Sequence, residues 1–574
     1  MAKLGEILVN KGAISKEQLE YALKEQRKSK ELLGKILLDL GFIDRSELLK
    51  ALSFQLSIPY YPSLKQIPIR EEVIKAVPAK FIWHYKFIPL EIKDNTLTIA
   101  TANPLNVQLL DELSFHLKYK IKAVWTPETE IKEAIRRYYG IGADTVEGIL
   151  EQKPEGEERE QRVEELGEGI GEIEDLGKSA QSASVIKLVD QLLKEAVVSR
   201  ATDIHIEPSR EKVRVRYRID GILYDMPVPA DIKFLHSAII SRIKIISNLN
   251  VVERRLPQDG RAKVKLEDKE IDLRISTLPT LYGEDAVIRI LPTQLLFDLE
   301  QLGFLPEDLE KIKEFVKKPH GIIFLTGPTG SGKTTTLYAC LSYINSPEKK
   351  IITIEDPIEY DLEGIAQIQV NPKVGLTFAS ALRSVLRHDP DVMMVGEVRD
   401  LETAELAIRT ALTGHLVFST LHTNDACSSP ARLLDMGIEP YLLASSVNVF
   451  IAQRLVRVIC PKCKEEAKEP LQDRRIREME VGEERRERSL QGKIYRSKGC
   501  EACKFTGYQG RTAIYELLVV TDEIKEMILR KASASEIKEK ARRLGMRTLR
   551  EQGWQKVMQG ITTPEEVIRV TQME

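Results

Sequence analysis

The 574-residue chain has no apolar run near the ~18–20 residues that a bilayer-crossing helix requires, so no spanning helix is expected. It also lacks a charge bias. The 85 Lys and Arg against 87 Asp and Glu leave a formal net charge of -2, with no global pull toward nucleic acid or anionic lipid. Its first residues, Met1-Ala2-Lys3-Leu4-Gly5-Glu6, lack the basic-then-apolar pattern of a secretory signal, and the expected location is the cytoplasm. Cysteine is scarce: six residues, of which Cys340 and Cys427 stand alone and four form two CxxC pairs. In a reducing compartment such pairs read as metal binding before disulfide.

What remains is ordinary globular material. Charged residues make up 30% and hydrophobic residues 43%. At ~100–200 residues per domain the length suggests three to five domains. The N-terminus holds a duplication. Leu4-Gly5-Glu6-Ile7-Leu8 recurs as Leu33-Gly34-Lys35-Ile36-Leu37, and Gly12, Ile14, Leu19, Leu23 and Gln26 recur at Gly41, Ile43, Leu48, Leu52 and Gln55, each at an offset of 29. Each copy reads as a short helix, a glycine turn and a second amphipathic helix, with Ser15 and Gln18 as a capping box. A helical docking module is one reading of this unit.

Residues 61–140 read as a mixed domain with strands at Lys86–Leu90 and Thr96–Ala100, a turn at Lys93-Asp94-Asn95 and a closing helix at Glu128–Tyr139. Residues 141–183, with the acidic stretch Glu151–Glu160, read as a flexible linker that buries too little apolar surface to offset its ordering entropy. Globular pattern resumes over 184–300. A helix is expected at Val185–Val198. Lys212–Ile219 then alternates strictly, lining one strand face with Lys212, Arg214, Arg216 and Arg218 before a hairpin turn at Asp220-Gly221. That face is either a solvated surface or suited to an anion.

The chemistry concentrates in residues 301–574. The strand Gly321–Thr326 runs into Gly327-Pro328-Thr329-Gly330-Ser331-Gly332-Lys333-Thr334, with Thr335 following inside a helix that extends to about Ile344. This is the phosphate-loop pattern GxxxxGK[ST] in its strand–loop–helix context. Backbone N–H groups would converge on phosphate oxygens, Lys333 would reach the β/γ-phosphates of ATP, and the Thr334 hydroxyl would ligate Mg2+. Two later apolar strands lead to acidic ends: Ile351–Ile354 to Glu355-Asp356-Pro357-Ile358-Glu359, and Asp391–Val395 to Gly396-Glu397-Val398-Arg399-Asp400. In an open α/β sheet these ends face the ligand. Glu355 and Glu397 are the candidate carboxylates, although Gly396 stands where such a strand usually ends in Asp. His415 and His422 bracket the next strand. His422 is the better candidate to sense the γ-phosphate, and His415 suits an interface.

With these motifs in view, the chain resembles the ATPases of type II secretion and type IV pilus assembly. The resemblance rests on Ala201–Glu207, Arg216–Gly221, Leu256–Arg261, Gly327–Thr334, Ile354–Glu359, Val395–Asp400 and Thr413–His422. It implies a RecA-like ATPase domain preceded by a PAS-like α/β domain. It implies a homohexamer, peripheral at the inner membrane, that couples ATP hydrolysis to an inner-membrane platform protein and a cytoplasmic pilus or secretion-ring component. It places the catalytic glutamate at Glu397, with Glu355 shaping water and magnesium. Arginines supplied in trans would be Arg216 and Arg218, with Arg255, Arg274 and Arg289 as further candidates. A pilus-extension motor is the leading reading, and a type II secretion motor the alternative. A DNA-translocating ATPase is disfavoured by the neutral charge and the lack of an aromatic–basic groove.

Cys460-Pro461-Lys462-Cys463 and Cys500-Glu501-Ala502-Cys503, separated by 36 residues, suit a structural tetrathiolate zinc site within an element at 455–510. Unmetallated thiols are the plain alternative. Assembly ATPases of the family carry such an element, whereas retraction ATPases generally lack it. The N-terminal repeat at 1–60 resembles the tandem cyclic di-GMP modules at the front of some family members. Lys3 stands where those carry Arg, and Lys does not bind guanine bidentately.

Overall fold

Glycine positions shape the first element of the computed structural model, which describes residues 4–29, 31–65, 67–151, 182–266, 269–291, 298–467 and 493–571. The chain divides into two units, Met1–Ile290 and Leu291–Glu574. The duplication appears as helices Leu4–Asn10 and Lys16–Ser29, then Leu33–Asp39 and Arg45–Leu56. Gly12 (φ 71°) and Gly41 (φ 68°) take the left-handed conformation that ends each short helix. Ser15 N–H donates to Gln18 Oε1 (2.8 Å), and Gln18 N–H returns to Ser15 Oγ (3.1 Å). Asp44 and Glu47 repeat this box in the second copy, at 3.0 and 2.7 Å. Ile7, Leu8, Ile14 and Ala22 share one buried cluster with their counterparts Ile36, Leu37, Ile43 and Ala51. Lys3 lies outside the described residues.

The mixed domain carries a three-stranded sheet of Phe87–Lys93, Thr96–Thr101 and Lys120–Trp125. Its first turn is Asp94-Asn95, both at positive φ (47° and 60°), the geometry a two-residue hairpin demands. Part of the expected linker is folded. Residues Ala143–Glu151 form a helix, Ile141 N–H donates to Pro227 O (2.8 Å), and Ile141 and Val146 are buried with Leu188 and Leu192. Those apolar side chains give the segment a surface to bury, so residues 141–151 belong to the folded part rather than to the linker expected there. Residues 152–181, with most of the acidic stretch, lie outside the described residues.

The third part of this unit is a six-stranded sheet in the order Ile222–Met226, Val213–Ile219, Ala201–Pro208, Gly283–Leu291, Lys269–Thr280, Gln258–Leu266. Helices Ala183–Val198 and His236–Ile246 bury against it. This is the PAS-like α/β arrangement expected. Val213, Val215, Tyr217 and Ile219 point into the core, leaving the basic residues between them on the other face. Asp220 (φ 50°) and Gly221 (φ 87°) make the hairpin turn.

In the second unit, seven strands run in the order Ala366–Gln369, Ile351–Glu355, Val392–Val395, Leu416–Leu421, Gly321–Thr326, Val447–Ile459, Tyr508–Val519. All pairings are parallel except the last. The central strands are buried along their whole length, which is why they read as continuous apolar runs. The phosphate-loop strand lies between the last parallel strand and the strand Leu416–Leu421, the RecA-like order. The domain boundary expected at 300 shifts earlier: Leu299 and Leu302 are buried in this unit's core, and buried Lys556 donates to Gly303 O (2.7 Å). Among the described residues, no helix is long and apolar enough to cross a membrane.

Candidate functional site

The phosphate loop leaves the strand Gly321–Thr326 and enters the helix Lys333–Ile344. Two of its glycines are required by close approach. A Cβ on Gly327 (φ 144°) would lie 2.7 Å from Gln453 O, and one on Gly332 (φ 90°) would lie 2.8 Å from Gln453 Nε2. Pro328, Thr329 and Gly330 are exposed, Ser331 is buried, and Thr334 is open to solvent with Thr335 half-buried beside it. Lys333 folds back along the loop, donating to Gly327 O (2.7 Å) and Pro328 O (3.1 Å). Burial pushes its ammonium down to about 8, Glu397 opposing that shift and Arg454 adding to it.

Glu397 follows the strand Val392–Val395. Its Oε2 lies 3.2 Å from His422 Nε2 and its Oε1 lies 2.7 Å from Arg399 Nη2. The turn that carries it is tied to both neighbouring strands. Gly396 N–H donates to Ile354 O (2.8 Å), Thr420 Oγ1 to Gly396 O (2.7 Å) and Val398 N–H to Thr420 O (3.1 Å). A Cβ at Gly396 would press on Ile354 O at 3.2 Å, a local reason for glycine where Asp is usual. Glu355, at the end of its strand, is buried, and both its oxygens are engaged. Tyr338 O–H donates to Oε2, while Thr353 Oγ1 (2.5 Å) and Gln367 Nε2 (3.0 Å) donate to Oε1. The structure therefore groups Lys333, Glu397 and His422, and turns the Glu355 carboxylate toward the second turn of the phosphate-loop helix. His415 is occupied elsewhere: its Nδ1 lies 3.1 Å from Thr410 O.

Three neighbours were not singled out from sequence. Arg399 stands two positions after Glu397, a signal available in the motif itself. Gln453 and Arg454 come from the strand Val447–Ile459. Thr336 Oγ1 donates to Gln453 Oε1 (2.9 Å), and Arg454 donates to Asn424 O (2.6 Å) and Gln453 O (3.0 Å). Only the strand order brings these residues under the loop.

The arginine-bearing strand belongs to the first unit. Its partner strand supplies the counter-charges. Glu207 accepts from Arg216 Nη2, and Asp203 lies between Arg218 Nε (3.6 Å) and Arg289 Nε (3.0 Å). The register Asp203↔Arg218 and His205↔Arg216 explains why the acidic motif Ala201–Glu207 and the basic motif Arg216–Gly221 occur together. Arg255 is exposed and paired with Glu253 at 2.9 Å.

Cys460, Cys463, Cys500 and Cys503 form one cluster, their sulfurs all within 4.8 Å of one another. Cys460–Cys500, Cys463–Cys503 and Cys500–Cys503 are each separated by 3.8 Å. Zn–S bonds of about 2.3 Å in a tetrahedron give S–S edges of about 3.8 Å, so the donor set fits zinc. Cys500 N–H (3.1 Å) and Gly507 N–H (3.3 Å) donate to Cys503 Sγ; burial raises that thiol, and these bonds outweigh it, bringing it to about 7. Most of the charged excursion between the pairs, Glu465–Arg488, lies outside the described residues.

The profile of the family described as "Type II/IV secretion system protein" matches residues 178–569, and that of the "MshEN domain" matches residues 56–145. The chain is 43% identical to the Type IV pilus assembly ATPase PilB of Myxococcus xanthus, over 99% of this chain and 98% of that one. It is also 43% identical to the Type II secretion system protein E of Xanthomonas campestris pv. campestris, over 87% of this chain and 85% of that one. Among solved structures, the pilus retraction motor PilT with bound ADP is 26% identical, with a TM-score of 0.46 over 66% of this chain and 96% of that one.

Proposed function

Because the chain belongs to the Type II/IV secretion system protein family, and is a P-loop ATPase within it, we propose that it powers type IV pilus assembly as a cytoplasmic homohexamer peripheral at the inner membrane. The observation that carries the pilus reading is the end-to-end match to a pilus assembly ATPase, which runs through the N-terminal repeat. The equal identity to a type II secretion protein over a shorter span keeps secretion as the second reading. Deleting the gene decides between them: the first reading requires loss of surface pili with protein secretion intact, and the second requires the reverse.

In the proposed mechanism, Gly327–Thr334 cradles the ATP phosphates and Lys333 neutralises the β/γ charge. Thr334, exposed at the helix start, would hold Mg2+, which supplies further charge neutralisation when bound. Glu397 accepts the proton of the attacking water, and His422 orients that carboxylate from its far oxygen. Arg216 and Arg218 are the proposed in-trans arginines. Each is held by a carboxylate of its own sheet, so action on a neighbour's γ-phosphate requires an exchange of partners. Arg218→Ala should lower turnover of the assembled ring without weakening ATP binding, and unchanged turnover removes Arg218 from the site. Cys460, Cys463, Cys500 and Cys503 would hold a structural zinc with no open coordination position. The platform protein and a cytoplasmic pilus-ring component are the proposed partners. The tandem repeat is the proposed cyclic di-GMP site, supported by its duplicated glycine turns; absence of binding heat on titrating the full chain with the dinucleotide would remove that assignment.

A further inference from the structure

The geometry points to Tyr338 as a positioning residue that clamps the Glu355–Tyr360 turn to the phosphate-loop helix. The inference rests on the reading that this site hydrolyses ATP. Tyr338 sits in the second turn of the helix that begins at Lys333, and its side chain is fully buried. Its one hydroxyl does two things: it donates to Glu355 Oε2 and accepts from Glu359 N–H at 3.2 Å. The ring stands edge-on to Tyr360, with centroids 5.7 Å apart and planes at 74°. Both ends of the turn are thus held by a single side chain from the element that carries Lys333 and Thr334.

Gln367 completes the clamp. It donates to Glu355 Oε1 and to Tyr360 O, both at 3.0 Å. With Thr353, Glu355 has three side-chain donors inside the protein. Both oxygens are taken up by these donors, so this carboxylate is placed to hold the turn rather than to face an attacking water. Burial first, and Glu355 second, raise the phenol of Tyr338, so it stays a donor throughout the working pH range. Phenylalanine would fill the same space but could neither donate to Glu355 nor accept from Glu359.

The test uses the full chain and its Tyr338→Phe variant. The expected result is a kcat lowered by ~10–100-fold, the usual cost of losing a supporting hydrogen bond behind a site, with ATP affinity unchanged. Adding Glu355→Gln to Tyr338→Phe should cost little more than either change alone. Amide exchange over 356–360 should quicken in the variant while the phosphate-loop strand stays protected. A variant with wild-type kcat and exchange overturns the inference, as does one whose only defect is lost ATP binding or lost folding. If the wild-type chain hydrolyses no ATP, the underlying reading fails first, and the exchange measurement still reports whether the clamp exists.

Discussion

Lys333 is asked to carry a positive charge where burial resists it. Its ammonium falls to about 8 because the loop excludes water, and its present partners are carbonyls rather than anions. Phosphate oxygens favour the charged form and would restore the ordinary value. Above pH 8 the empty site holds a neutral lysine and the filled site a charged one, so ATP binding there takes up a proton. Calorimetry at pH 8.5 in buffers of different ionisation enthalpy should show that uptake, and Lys333→Met should abolish it. Buffer-independent heats would mean that the lysine is already charged in the empty loop. The loop was legible in sequence because its constraints are local: glycines, lysine and threonine within one turn of backbone. Gln453, which lies 117 positions after Thr336 yet bonds it, was not legible, because its place depends on which strand lies beside the loop strand. Tyr338 was hidden differently. It reads as a core residue of an apolar helix, and only its distant partners make it more.

At the scale of elements, the strand Val447–Ile459 carries Gln453 and Arg454 under the phosphate loop and then runs directly into Cys460. On the way Arg457 pairs with buried Glu566 at 2.6 Å and lies over Tyr508 at 3.9 Å, while Ile459 N–H donates to Ile561 O at 2.8 Å. The C-terminal helix Pro564–Thr571 is therefore held beside the cysteine cluster. One zinc per purified chain is expected by metal analysis. Its removal by chelation should lower the melting temperature and speed exchange over 459–466 and 560–567 before the central strands open. A chain that melts identically with and without chelator would show that the thiols need no metal. The alternation of Val213–Ile219 and the glycine turns of the repeat were plain in sequence, since both follow from periodicity and positive φ. The helix Ala143–Glu151 was missed because the acidic composition that follows it masked its few apolar side chains.

At the scale of the whole molecule, the second unit holds a RecA-like sheet whose carboxyl edge carries the loop and Glu397, and the six-stranded sheet of the first unit bears the paired arginines. Arg216 and Arg218 each have a carboxylate partner, Glu207 and Asp203, on the neighbouring strand of their own sheet. ATP hydrolysis is proposed at the site built on Lys333 and Glu397. The most direct measurement is steady-state phosphate release by the purified full chain beside its Glu397→Gln variant, with ATP binding measured in parallel. Turnover is expected in the wild type, with a loss of at least ~100-fold in the variant, the scale of removing a general base, and ATP still bound. A variant that binds ATP and hydrolyses it at the wild-type rate would contradict that proposal.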